Sequence, residues 1–147
     1  MPQSLVKILV HIVFSTKDRI DLIPVQLEDE LYRYIHGIIE NKGARLIIAG
    51  GISNHIHLLV SLGRMDVSEL IGDIKRSSSV WMKDKGVRKF YWQKGYGAFS
   101  IGQSQVAEVS RYIRNQKEHH SKQSYQDEFR ALCNKYEVEI DERFVWD

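Results

Sequence analysis

The chain has 147 residues, 43% hydrophobic and 27% charged, with a formal net charge of +2, a size and balance that suit one globular domain with a real core. No apolar run approaches the 18 or so residues of a membrane span, and Lys7 and His11 interrupt the apolar stretch after Met1, which argues against a signal peptide. The lone cysteine, Cys133, has no intramolecular partner, reads as a small core residue, and fits a reducing cytoplasm.

In chain order, residues 5–15 are β-branched and apolar at nearly every position and predict a central strand buried on both faces. His11 lies on it, with a core position as its simplest role and proximity to a neighbouring strand's histidines as the alternative. Residues 26–42 predict a helix, with Leu27, Leu31, Tyr34, Ile35, Ile38 and Ile39 along one stripe and Gly43 as the stop. Residues 45–49 predict a second strand, leading through Gly50-Gly51 and a loop of more than two residues into Asn54-His55-Ile56-His57-Leu58-Leu59-Val60. In a strand, residues two apart share a face. His55 and His57 therefore stand side by side, and Ile56, Leu58 and Val60 point to the opposite, buried face.

A helix over residues 67–83 follows, then a strand within residues 88–101 whose paired glycines mark a bulge or a close backbone approach. Residues 75–94 hold seven basic side chains against one acid, so this segment carries +6 and the remainder −4. With Trp81, Tyr91 and Trp92 interleaved, and with Ser77, Ser78 and Ser79 suited to phosphate, it reads either as a nucleic-acid footprint or as a solvated basic surface. The order strand, helix, strand, strand, helix, strand is the βαββαβ pattern of a ferredoxin-like α+β fold. The first and third strands are then central neighbours, with His55 and His57 on the face the two helices leave uncovered.

Two additional C-terminal helices are predicted, over residues 103–120 and 125–136, and Phe144-Val145-Trp146 is expected to dock back on the fold. No linker or repeat divides the chain, so residues 1–147 are expected to form one domain. On the first of these helices Tyr112 and Gln116 lie one turn apart on a common face, which His119 continues and Arg111 and Arg114 flank.

Three motifs together carry a resemblance: His55-Ile56-His57, then Trp92-Gln93-Lys94-Gly95-Tyr96, then Tyr112-Ile113-Arg114-Asn115-Gln116. In that order and at single-domain spacing, the chain resembles the HUH single-tyrosine transposases, specifically the small single-strand insertion-sequence transposases and their REP-associated relatives. The resemblance runs from His11 to His120 and implies a ferredoxin-like fold. It implies His55, His57 and Gln116 as ligands of a divalent metal, Mg²⁺ or Mn²⁺. Beside them, His119 and His120 are auxiliary candidates for the site or for phosphate, or else a polar helix end, and His11 is an auxiliary candidate from its strand. The resemblance further implies Tyr112 as the nucleophile that cleaves single-stranded DNA with hairpin ends, leaving a 5′-phosphotyrosine and a free 3′-OH. A homodimer is implied too, with the tyrosine delivered either within one chain or from the partner. Lys17, Arg19, Lys75, Arg76, Lys94, Arg111 and Arg114 are the candidate DNA contacts.

The residue types suit that chemistry. A divalent ion held by two neutral imidazoles and an amide oxygen keeps its full charge and can polarise a phosphate, and imidazole favours Mn²⁺ over Mg²⁺. A phosphotyrosine conserves the phosphodiester bond energy for rejoining. Two competing readings predict other outcomes. A non-catalytic single-strand-binding module of the same fold needs exposed aromatics on its central strands, and these strands offer Ile, Val, Leu and His. A metal phosphoesterase that uses water forms no protein–DNA adduct.

Overall fold

The alternation of side chains along β1 (Leu9–Ser15) and β3 (His55–Ser61) assigns two different packing roles to the two faces of one sheet. In the computed structural model, which describes residues 2–147, Val10, Ile12 and Phe14 of β1 and Ile56, Leu58 and Val60 of β3 face α1 (Glu28–Asn41) and α2 (Val67–Asp84). These residues, with Phe90 and Trp92, form the larger core. Asp66 caps α2 by accepting from the Glu69 amide at 3.0 Å.

β2 (Arg45–Ile52) and β4 (Gly97–Ile101) complete an antiparallel sheet in the order β2-β3-β1-β4. That is the ferredoxin-like arrangement, with the two histidine-bearing strands at its centre. The opposite face carries His11, Val13, His55, His57 and Leu59, and the C-terminal helices cover it. They are α3 (Val106–Arg114), the single turn α4 (Gln116–His119) and α5 (Tyr125–Lys135). Leu59 packs with Val109 and Ile113 of α3, while Val13 and Phe99 pack with Tyr125, Phe129 and Cys133 of α5. Val145 and Trp146 return onto this second cluster, whereas Phe144 stays largely exposed.

Glycine decides how closely these helices approach. Gly50, His57, Val13 and Gly97 form one row across the sheet. A Cβ on Gly50 would lie 2.4 Å from the Ile113 carbonyl oxygen of α3, and one on Gly97 would lie 2.8 Å from the Phe129 ring of α5. The helices therefore rest directly on backbone at both ends of the histidine row.

Several predicted boundaries are corrected. The first strand begins at Leu9 rather than at residue 5, and Leu5, Val6 and Ile8 are exposed because the partner strands end opposite Leu9, at Ser61 and Ile101. The β2–β3 loop is only two residues, Ser53-Asn54, since the strand continues through both glycines to pair Ile52 with His55. The last strand is confined to Gly97–Ile101, with a single bridge at Trp92. Before it, Phe90 and Trp92 enter the core under α2, and the Gln93 side chain, not a strand backbone, accepts from the Ser15 amide. The predicted helix over residues 103–120 is broken at Asn115, which turns Gln116 fully inward.

Candidate active site

The site starts from the two imidazoles that period-2 geometry places on the second face of β3. His55 and His57 are both fully buried, with ring centroids 5.2 Å apart. His11, diagonally across on β1, places its Nε2 2.8 Å from His57 Nδ1. Each ring is held from behind: His55 Nδ1 lies 2.8 Å from Asn54 Oδ1, and Asn54 in turn donates its amide to the Arg19 carbonyl. Such outer contacts orient an imidazole and leave the other nitrogen free to act.

Above the strand, the break at Asn115 places Gln116 Oε1 3.0 Å from His55 Nε2. Tyr112 comes from the last turn of α3, with its ring 5.8 Å from that of His57. Its hydroxyl donates to Glu128 Oε2 on α5. The other oxygen of Glu128 lies 3.0 Å from His57 Nε2, 3.4 Å from His55 Nε2 and 2.9 Å from His120 Nε2. Nitrogens of His55, His57 and His120 and an oxygen of Glu128 thus all fall within 4.8 Å of one another. All of these side chains come from one chain.

Glu128 is the residue that the sequence reading missed. It is 1% exposed although ionisable, and it sits on the apolar stripe of α5 with Tyr125, Phe129, Leu132 and Cys133. A carboxylate in that stripe is the one signal that could have found it. The Trp-Gln-Lys-Gly motif holds its helix: Gln93 Oε1 accepts from both the Ser15 amide at 2.8 Å and the Tyr125 hydroxyl at 3.0 Å.

The electrostatics follow from burial. Burial, reinforced by His57, pushes His11 down to about 3, and burial lowers His55 to about 4 against the pull of Glu128, so both rings are neutral near pH 7. Burial would raise Glu128, yet its short contacts with His120, His55 and His57 hold its carboxyl well below the usual carboxylate range. Burial and that carboxylate together raise the Tyr112 phenol, which is therefore protonated at rest. Beside it opens a cavity of about 340 Å³ lined by His11, Val109, Tyr112, His119 and Glu128, among others.

The donor set fits a divalent ion. Adjacent ligands of an ion bound at about 2.1 Å stand roughly 3 Å apart, close to the separations that these nitrogens and oxygens already show.

The other candidates divide. His119 lies at the cavity, 3.5 Å from the Tyr112 hydroxyl, and Arg111 and Arg114 are exposed on α3. Lys17 and Lys94 are exposed in the loops after β1 and before β4. Arg19 gives its guanidinium to the Trp146 carbonyl, and Arg76 pairs with Asp73. Lys75 donates to the Gln93, Lys94 and Gly95 carbonyls at 2.7–3.1 Å, bracing the motif loop. Of the aromatics and serines grouped with them, Trp92 and Ser78 are buried and bonded to each other, which removes both from any phosphate surface.

No curated protein matches the chain in sequence. Among solved structures, a candidate transposase from Deinococcus radiodurans R1 is 18% identical over 79% of this chain and 95% of its own, with a TM-score of 0.64. A REP-associated tyrosine transposase bound to a REP hairpin is 15% identical over 77% of this chain and 68% of its own, with a TM-score of 0.58. At such identities these two likenesses speak to the fold. The family model described as "Transposase IS200 like" matches residues 4–116, from the approach to β1 through Gln116. Since that span holds both strand histidines and the Tyr112–Gln116 turn, the chain belongs to the IS200-like transposase family of tyrosine transposases.

Proposed function

We propose that this protein is a divalent-metal-dependent transposase that cleaves and rejoins single-stranded DNA through Tyr112. The observation that carries the reading is the convergence of the Tyr112 hydroxyl, through Glu128, on the buried His55/His57 pair within one chain. His55, His57 and Gln116 hold the ion, Mn²⁺ or Mg²⁺, which when bound polarises the scissile phosphate and offsets its developing negative charge.

The chain's own residues do the rest. The Tyr112 oxygen attacks phosphorus, the Tyr–O–P bond forms and the bond to the 3′ oxygen breaks. The products are a 5′-phosphotyrosine and a 3′-OH. Glu128 Oε2, which accepts the Tyr112 hydroxyl, relays the phenolic proton away, and the departing 3′ oxygen takes up one proton in its place. Reversal by another 3′-OH rejoins strands without an external energy source. The cavity beside Tyr112 and His119 has room for the nucleotide at the cleavage point. Exposed Arg111, Arg114, Lys17 and Lys94 supply backbone contacts to DNA, and the hairpin seen on the REP-associated relative makes a hairpin the substrate of choice. We read Tyr112 as delivered in cis, and a homodimer as the functional unit.

Incubation with a single-stranded hairpin oligonucleotide and Mn²⁺, followed by denaturing electrophoresis, tests this. A covalent complex should form, vanish in EDTA, and be absent from Tyr112→Phe while hairpin binding persists. Cleavage without any adduct would point to water as the nucleophile, and an adduct surviving in Tyr112→Phe would sink the assignment.

A further inference from the structure

The family match ends at Gln116, yet two buried or nearly buried groups beyond it, His120 and Glu128, point into the same site. Their hydrogen-bond partners decide what they can do there. His120 Nδ1 lies 2.7 Å from the Gln123 carbonyl, which can only accept, so Nδ1 carries the proton. In a neutral ring Nε2 is then a bare lone pair, and it faces Glu128 Oε1, another acceptor, at 2.9 Å. The same holds at His55. Asn54 uses its amide nitrogen on the Arg19 carbonyl and turns Oδ1 to His55 Nδ1, so His55 Nε2 also faces oxygens without a proton to share. Gln116 repeats the pattern, spending its NH₂ on the Tyr112 carbonyl and Glu128 and leaving Oε1 toward His55.

Lone pairs of His55 Nε2, His120 Nε2, Gln116 Oε1 and Glu128 Oε1 thus converge, and His57 Nε2, 3.0 Å from Glu128 Oε1, is the one neighbour able to offer that oxygen a proton. Supplying protons instead would place two imidazolium rings, with centroids 4.3 Å apart, in a buried site with one carboxylate. A single divalent cation satisfies all four at once.

We infer that His120 and Glu128 are metal ligands in addition to His55, His57 and Gln116, and that the resulting three-imidazole, one-carboxylate centre selects a transition-metal ion over Mg²⁺. Imidazole-rich sites favour such ions, whereas Mg²⁺ prefers oxygen ligands and retained waters. The inference rests on the metal site of the proposed function and extends it to the segment after residue 116. Through Glu128 the same carboxylate would tie the ion to the nucleophile, one oxygen on the metal and the other on the Tyr112 hydroxyl.

Calorimetric titration of the metal-free full-length chain with Mn²⁺ and with Mg²⁺ tests it, using wild type, His57→Ala, Glu128→Gln and His120→Ala, each checked for folding by circular dichroism. Mn²⁺ should bind wild type more than about tenfold more tightly than Mg²⁺. Glu128→Gln and His120→Ala should each weaken Mn²⁺ by more than about tenfold. Pulsed electron paramagnetic resonance of Mn²⁺-loaded wild type, which needs no variant to fold, should count three imidazole nitrogens. Two nitrogens, or wild-type affinity in either C-terminal variant alongside lost binding in His57→Ala, would overturn the added ligands and leave the three-ligand site standing. Unchanged Mn²⁺ binding in His57→Ala would instead remove the metal site on which both readings depend.

Discussion

Gly50→Ala is the sharpest test of how the site is assembled. The new Cβ would lie 2.4 Å from the Ile113 carbonyl oxygen, where ordinary contact begins near 3.4 Å, so α3 must move about 1 Å off the sheet. Backbone on one side and a central-sheet neighbour on the other leave no flexible side-chain end to absorb the clash. Ile113 adjoins Tyr112 and lies three residues before Gln116, so the proposed nucleophile and one proposed ligand move with it. Overpacking of this kind costs about 1–3 kcal/mol, and a misplacement near 1 Å costs on the order of 100-fold in rate. Urea unfolding and single-turnover adduct formation on a hairpin substrate measure the two effects separately. Gly37→Ala, whose Cβ meets nothing within 4 Å in α1, is the matched control and should be neutral or slightly stabilising. Adduct formation at the wild-type rate in Gly50→Ala would refute the argument that this glycine sets the height of α3.

Gln93→Ala should destabilise the chain by about 1–3 kcal/mol, because it strands the Ser15 amide and the Tyr125 hydroxyl. It should also weaken Mn²⁺ binding by loosening α5, and thermal melts with and without the ion report both. The metal-free protein should lose stability on acidification. Unfolded histidines take up protons below about pH 6.5, whereas His55 and His11 resist until about 4 and 3, so the unfolded state binds more protons across that window. Each pH unit there removes about 1.4 kcal/mol per histidine, and Glu128 adds loss in the same direction at lower pH; flat melting temperatures between pH 6.5 and 4.5 in EDTA would contradict it. Arg111→Ala and Arg114→Ala should each lower single-strand affinity and reduce the slope of log affinity against log salt by about 0.7 per lost phosphate contact. Light scattering should give twice the chain mass if the functional unit is a homodimer.

The sequence by itself determined what depends on local periodicity. The 2-residue repeat of β3 put His55 and His57 on one face and Ile56, Leu58 and Val60 on the other, and the order of elements specified the sheet. The one-turn spacing of Tyr112 and Gln116 survived even the helix break between them, because both still face the sheet. Tertiary structure decided what depends on long-range closure. Trp92 became core because its segment tucks under α2, where its indole donates to Ser78 on that helix's buried face, and Lys75 became a loop brace because three carbonyls turn toward it. Above all, Glu128 lies 71 residues from His57 on a helix whose position no local pattern specifies. It reaches the two strand histidines only because Gly97 lets Phe129 lie on the sheet and Gln93 ties down Tyr125. A residue's periodicity fixes its own face, but only packing decides which side chains from other elements meet it there.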